Sequence, residues 1–487
     1  MAQPTQSITL PLSMAMAMII AYGIMDHIPE ASTAVCQFWI TRRPFSNETT
    51  AMLFINSLVA LVATVSCASA ATLAKRVHNG HWINAWATMP QLTEPANLPP
   101  APFNGTSGVF VNATIRQTLF MTIGADQIRI RISNVFGVND LPISAVSVAL
   151  PVDGAAGVSG IQTSTLKQVT FSGSSSIIVP NGALVVSDPI DFKIAPLQNI
   201  AVSIYLASGQ QGFSITSHPG SRTTSWMTFG NQINAAAFTS PDTANVAHWY
   251  FLSAVEAWVN GGVSSFVIVG DSITDGRGST TNGNNRWPDL LLRNMQKQHF
   301  TRQISVSNEA AGGNRILNDG LGPNAQGRIE RDVLAQPGVK FAMIFEGVND
   351  IGTAAATAEV QEIVYQRLIL AFKQIATRVH TFKIPLFVAT ITPFGSPDSV
   401  LQPYSAPARE VTRLRINDWI RKSKGTVFDA VIDFDALLRD PKNATQLNPI
   451  YDSGDQLHPS LQGYQYIADK FPLDLFDKFE NGVDGFN

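Results

Sequence analysis

Residues 264–276 read Ser264-Ser-Phe-Val-Ile-Val-Gly-Asp-Ser-Ile-Thr-Asp-Gly276. The apolar run Ser264–Val269 predicts a buried strand, and the Gly-Asp-Ser that ends it predicts a tight turn. Beyond this turn the chain alternates between two patterns. Trp287–His299 has helical period, Phe341–Phe345 is apolar again, and Thr357–Val379 is a long amphipathic stretch. Pro385–Thr390, Glu410–Lys422, Val427–Ile432 and Tyr464–Phe479 continue the alternation. Alternating strands and helices predict an α/β fold, a parallel sheet with helices on both faces. Ligands of such sheets bind beyond the carboxyl ends of the strands.

Upstream, from about His81 to Trp258, the pattern is different. Gln127-Ile-Arg-Ile-Arg-Ile-Ser133 places Ile128, Ile130 and Ile132 on one side and Arg129 and Arg131 on the other. That is a period-2 strand with one buried face. Asn199–Leu206 repeats the pattern, and Ser-Gly-Ser, Pro-Asn-Gly and Ser-Asp-Pro clusters separate further short runs. An antiparallel β-sandwich or jelly roll is expected here. The division anticipated is residues 78–260 for this β-sandwich-like domain and 261–487 for the α/β domain.

Residues 1–70 read as a leader. The apolar run 53–65, followed by Ala68-Ser-Ala70, has the length and small-residue pattern of a signal peptide over about 52–70. The charge-free stretch Ile8–Met25 is an over-extended start, a membrane span or an internal signal. Cys36 and Cys67 both fall in the leader, so a processed chain has no cysteine. Asn104-Gly-Thr, Asn112-Ala-Thr and Asn443-Ala-Thr are glycosylation sequons and fit a secreted, extracellular glycoprotein.

Composition narrows the class. Lys+Arg number 33 against Asp+Glu 36, a net charge of -3 that leaves no basic footprint for nucleic acid. Two cysteines exclude a disulfide scaffold and a cysteine-based zinc site. No phosphate-binding Gly-x-x-x-x-Gly-Lys and no His-Glu-x-x-His occurs.

The loops after the expected strands carry the reactive groups. Ser272 follows the first strand, where it is either a helix cap or a hydroxyl presented at the sheet edge. Gly312-Gly313 follows Ile304–Ser307 and is either an ordinary turn or a pair that frees backbone N–H groups for an anion. Asn349, in Gly347-Val-Asn-Asp350, offers an amide to a developing oxyanion. Gly137-Val-Asn139-Asp140 repeats those four letters in the β-rich region and reads as a turn. Asp455 stands three residues before His458, close enough to bond Nδ1 and leave Nε2 as a base. Of the eight histidines only His458 combines a nearby carboxylate with a strand–helix junction. His299 and His380 sit at expected helix ends, and His218 and His248 lie before the α/β region.

In this order the four blocks resemble the SGNH (GDSL-type) hydrolase family. The serine block is Gly270-Asp-Ser272, the glycine block Asn308–Gly313, then Gly347-Val-Asn349-Asp350 and Asp455-Gln-Leu-His458. The resemblance implies a three-layer α/β/α hydrolase with no metal and no organic cofactor. It implies Ser272 as nucleophile, His458 as base, Asp455 as its orienting acid, and Ser272, Gly313 and Asn349 as the oxyanion hole. The glycine block often carries an earlier glycine where this chain has Ala310, so Gly312 and Gly313 are both candidate donors. Arg131-Ile-Ser-Asn134, Ser187-Asp-Pro189, Arg286-Trp-Pro-Asp289 and Asn417-Asp-Trp-Ile-Arg421 resemble a two-domain subgroup with an N-terminal β domain. Its members include secreted acyl hydrolases linked to plant polysaccharides. The expected substrate is therefore a small-molecule or polysaccharide ester, with no nucleic-acid partner and no stable membrane partner once the signal is removed. A membrane-associated lipid acyl hydrolase and a non-catalytic glycan-binding protein are the alternatives.

Overall fold

The computed structural model describes residues 80–484. The leader, with its signal-peptide and membrane-span expectations and both cysteines, lies outside the described residues. Among the described residues no helix is long and apolar enough to cross a membrane.

The described residues form one compact unit with two main hydrophobic cores. Around the first core lie two antiparallel sheets. One has the order Gly80–Ala87, Leu252–Asn260, Ala125–Ser133 and Leu184–Val186, and Ile190–Ile194 also pairs with Ala125–Ser133. The other has the order Ala244–Val246, Ser225–Phe229, Ala113–Phe120, Asn199–Leu206, Ala145–Pro151 and Ile161–Val169. Ile128, Ile130 and Ile132 of the first sheet and Ile115, Leu119, Val202 and Ile204 of the second share one core.

The opposite face of Ala125–Ser133 departs from the one-buried-face expectation. Arg131 is buried there, not solvated. Arg129 and Arg131 both pair with Glu256 on the adjacent strand, and Arg131 Nη2 donates to Gln336 Oε1 at 2.5 Å. Gln336 belongs to the α/β part, which covers this face. Alternation correctly marked which residues face away from the isoleucine core, but not that a second layer lies over them.

The parallel sheet has the order Ile304–Ala310, Ser264–Gly270, Val339–Phe345, Leu386–Ala389, Ala430–Ile432. Every pairing is parallel. Helices Trp287–Met295 and Leu461–Lys470 pack together, as do Ala358–His380 and Pro407–Lys422. This is the expected α/β/α hydrolase fold. The helix Ala358–His380 shows why the sequence forms it. Thr357 caps it, accepting from Val360 N–H, and Val364, Leu368, Phe372, Ile375 and Val379 form its buried stripe.

Two helices are shorter than their periodicity suggested. Trp287–His299 ends at Met295. Tyr464–Phe479 is two helices, Leu461–Lys470 and Asp474–Lys478. Pro472 separates them, because it lacks an N–H and holds Phe471 in extended backbone.

The sheet order reverses direction at Ser264–Gly270, which lies between Ile304–Ala310 and Val339–Phe345. A crevice forms at such a switch point, beyond the carboxyl ends of those strands.

The C-terminal helix closes the second core. Phe476 is fully buried, with ring centroids 5.1 Å from both Phe266 and Phe341. Phe476→Ala is expected to cost about 3–5 kcal/mol, from lost transfer energy plus a cavity. Urea denaturation would show it as a lower midpoint. An unchanged midpoint would mean that the helix does not seal this core.

Candidate active site

Ser272 opens the four-residue helix Ser272–Asp275. Asp271 is the cap, its Oδ1 accepting the Ile273 N–H at 2.9 Å. The serine hydroxyl is thus not used for capping. It lies 2.7 Å from His458 Nε2. As the first helical residue, Ser272 has an N–H with no intrahelical acceptor.

His458 precedes the helix Leu461–Lys470. Its Nδ1 lies 2.6 Å from Asp455 Oδ2, while Asp455 Oδ1 accepts the His458 N–H at 2.8 Å. A carboxylate can only accept, so Nδ1–H donates and Nε2 is left to accept from Ser272. Burial raises the Asp455 carboxyl, but its hydrogen bonds from His458 outweigh this and hold it below the usual carboxylate range. Asp452 instead accepts the Gly454 and Gln456 N–H groups, stapling the loop. A hydroxyl, an imidazole and a carboxylate linked in this way can transfer the hydroxyl proton to the imidazole as the hydroxyl attacks.

The glycine pair resolves into two different jobs. The Gly312 N–H donates to Asp275 Oδ2 at 2.9 Å. Gly313 has φ 73°, backbone that favours glycine, and its N–H has no acceptor among the described residues. Asn349 lies in the first turn of Val348–Thr353, which Gly347 caps at φ 115°. Its Nδ2 donates to the Asn314 carbonyl at 2.9 Å and its Oδ1 accepts from Tyr404 Oη at 3.0 Å. Those two bonds orient the amide and leave one N–H over. Asp350 accepts the Ile316 and Leu317 N–H groups and so anchors the segment after the glycine turn. Asn139, in the repeated four letters, sits in a surface turn and donates to Gln211 O.

Ser272, His458, Asp455, Gly313 and Asn349 all line one cleft of about 870 Å³. The antiparallel part contributes Gln91, Glu94, Asn97 and Arg222 to the same cleft. Sequence reasoning did not find these, since nothing in their local pattern marks them.

Three further residues were missed. Arg328 is buried beneath the loops and donates to Glu309 O, Asn314 Oδ1 and Asp332, with Glu346 at 3.3 Å. Asp275 stood in the serine block without a role. His218, from the antiparallel part, bonds Asp275 Oδ1 through Nε2 at 2.9 Å. His458 is therefore not alone in having a carboxylate partner. His380, expected to serve a helix end, bonds Asp429 at 2.8 Å. Only a lone histidine beside Thr216-Ser217 was visible at His218, with its partner 57 residues away.

Residues 268–466 match the model of the GDSL-like Lipase/Acylhydrolase family. This part of the chain belongs to that family. The GDSL-like part makes the protein a hydrolase, and its chemistry is ester hydrolysis. No curated protein matches the chain. Among solved structures it is similar to a putative G-D-S-L lipolytic protein of Desulfitobacterium hafniense. That match has 21% identity, covers 42% of this chain and 96% of that one, and has a TM-score of 0.32. It is also similar to a carbohydrate acetylesterase family member of Sinorhizobium meliloti (13% identity, 44% and 98% covered, TM-score 0.34). An acetyl xylan esterase of Geobacillus stearothermophilus matches at 18% identity, with 43% and 94% covered and a TM-score of 0.32.

The GDSL-like site is floored by buried carboxyl groups. Burial pushes Asp271 up to about 7; the Ile273 N–H opposes this and the neighbouring Asp350 and Asp275 reinforce it. In the unfolded chain an aspartate titrates near about 3.9. Between those values the folded protein holds a proton that the unfolded chain lacks, so this group's contribution to stability falls as pH rises from about 4 to about 7. Asp271→Asn keeps the capping oxygen and removes the titration. The variant is expected to lose less stability over that interval than the parent, measured by denaturation at both ends. Parallel losses would show that Asp271 is ionised throughout.

Proposed function

We propose that the chain is a secreted serine esterase of carboxylic esters, acting through a Ser272–His458–Asp455 triad and an acyl-enzyme. Its substrates are short-chain acyl or acetyl esters, including those on plant polysaccharides. In this reading residues 261–487 are the catalytic domain and 78–260 an accessory β domain. One observation carries the proposal: Ser272 Oγ to His458 Nε2 at 2.7 Å, continued from His458 Nδ1 to Asp455 Oδ2 at 2.6 Å.

His458 takes the Ser272 proton as the hydroxyl oxygen attacks the ester carbonyl. The tetrahedral oxyanion accepts hydrogen bonds from the Ser272 and Gly313 N–H groups and the Asn349 amide. Collapse expels the alcohol, which leaves with the proton from His458. Water then attacks the acyl-enzyme, His458 taking its proton and returning it to Ser272 Oγ as the acid departs.

Another part of the cleft lining supports a hydroxylated alcohol. Glu94 is held by Gln91 Nε2 at 2.6 Å and Asn97 Nδ2 at 2.9 Å, and all three line the cleft. A carboxylate with two donors already in place retains acceptor capacity for sugar hydroxyls. Secretion is supported by the three sequons, since Asn104, Asn112 and Asn443 are all exposed.

Ser272→Ala should fold normally and lose nearly all turnover of an aryl acetate, keeping at most roughly 10³–10⁴-fold over the water reaction. A folded Ser272→Ala enzyme with parental kcat would remove the serine from its role. Asn349→Ala should lower kcat by about 10²–10³ with little change in KM, because an oxyanion donor acts in the transition state. Asn139→Ala serves as the contrast and should change neither constant. If the two variants rank the other way, the oxyanion assignment fails.

A further inference from the structure

His218 and Asp275 form a buried pair that joins the antiparallel part to the catalytic turn. His218 Nδ1 is 2.9 Å from the Met89 carbonyl and Nε2 is 2.9 Å from Asp275 Oδ1. The other carboxylate oxygen, Oδ2, accepts the Gly312 N–H at 2.9 Å. Asp275 lies in the same short helix as Ser272 and lines the cleft. Trp249 stacks on the His218 ring at 5.8 Å. Gly220 closes over the carboxylate so tightly that a Cβ there would stand 1.7 Å from Oδ2.

Counting protons fixes the charge of the pair. The Met89 carbonyl only accepts, so Nδ1–H must donate to it. Two lone pairs cannot face each other across the 2.9 Å from Nε2 to Oδ1, so a proton lies between them as well. Whether that proton sits on the imidazole or on the carboxyl, the pair as a whole has no net charge.

We propose that His218 is a positioning residue for ester hydrolysis. It holds Asp275 as a net-neutral pair, and Asp275 in turn fixes the glycine turn so that the Gly313 N–H faces the cleft. This rests on the reading of Ser272 as nucleophile and Gly313 as oxyanion donor. An unpaired Asp275 carboxylate would place a negative charge beside the point where the tetrahedral oxyanion forms, and would oppose it. It would also be free to turn, releasing Gly312. The antiparallel part therefore acts on the chemical step, not only on substrate binding.

The test uses the whole chain and p-nitrophenyl acetate, a substrate too small to depend on the Glu94 wall. His218→Ala should lower kcat by about 10²-fold, the scale on which a small misplacement of catalytic groups acts, with KM changed far less. Adding Asp275→Asn removes the uncompensated charge and retains an acceptor for Gly312, so the double variant should recover at least about 10-fold of that loss. A folded His218→Ala enzyme with parental kcat overturns the proposal. So does a double variant no faster than His218→Ala. Should His218→Ala fail to fold, the comparison passes to His218→Asn. The double variant must then fold and turn over ester faster than His218→Asn, and the reverse ranking overturns the proposal. An inactive Ser272→Ala beside a fully active His218→Ala would sink this inference and leave the triad reading standing.

Discussion

Arg328 ties together the ends of the three strands from which the site is built. Its guanidinium is buried and donates to Glu309 O near the end of Ile304–Ala310 at 2.5 Å. It reaches Gly270 O at the end of Ser264–Gly270 at 3.4 Å, and Glu346 Oε1 just past Val339–Phe345 at 3.3 Å. It also donates to Asn314 Oδ1, in the glycine turn, and Asn314 O accepts from Asn349. A planar five-donor fork suits this task, and a lysine could not satisfy so many acceptors in one plane. Asp332 at 3.0 Å supplies the counter-charge that such a buried cation requires.

The site above that cation is held by polar bonds and is not shaped by packing alone. The glycine turn is fixed from three sides: by Asp275 on Gly312, by Asp350 on Ile316 and Leu317, and by Arg328 on Asn314. Carboxyl groups in such surroundings resist ionisation. Burial pushes Asp350 up to about 6 and Glu346 well above its ordinary value. A carboxyl that keeps its proton can both give and accept hydrogen bonds and adds no negative charge to its surroundings. Asp455 is the exception, held in its charged form by His458, where a negative charge favours the imidazolium.

The antiparallel part is joined to this scaffold by polar contacts as well as by apolar ones. Arg131 reaches Gln336, which also accepts from Asn84 at 2.6 Å. Arg286, from the helix entry after the serine turn, donates to Ser221 O and lies over the Trp249 ring. His218, Pro219, Gly220 and Ser221 thus run along the serine turn as one segment, tied at both ends. That contact surface makes the cleft a shared construction.

Local pattern by itself determined much of this protein. Side-chain period distinguished the antiparallel part from the α/β part, because alternation of two and of 3.6 residues is written in consecutive positions. Ser272, Gly313 and Asn349 were legible because each follows a strand closely, and parallel strands deliver their C-terminal loops to one edge. Asp455 and His458 lie well past the last strand, which ends at Ile432, and were legible instead from their three-residue spacing. Tertiary structure alone decided the partners of isolated polar residues. His218 meets Asp275, Arg131 meets Gln336 205 residues away, and Arg328 gathers groups from three strands. It also decided that the arginine face of Ala125–Ser133 is covered, and which glycine keeps a free N–H. A polar group's partner is selected by what else is buried within about 3 Å of it, and that depends on how distant segments stack, not on sequence spacing.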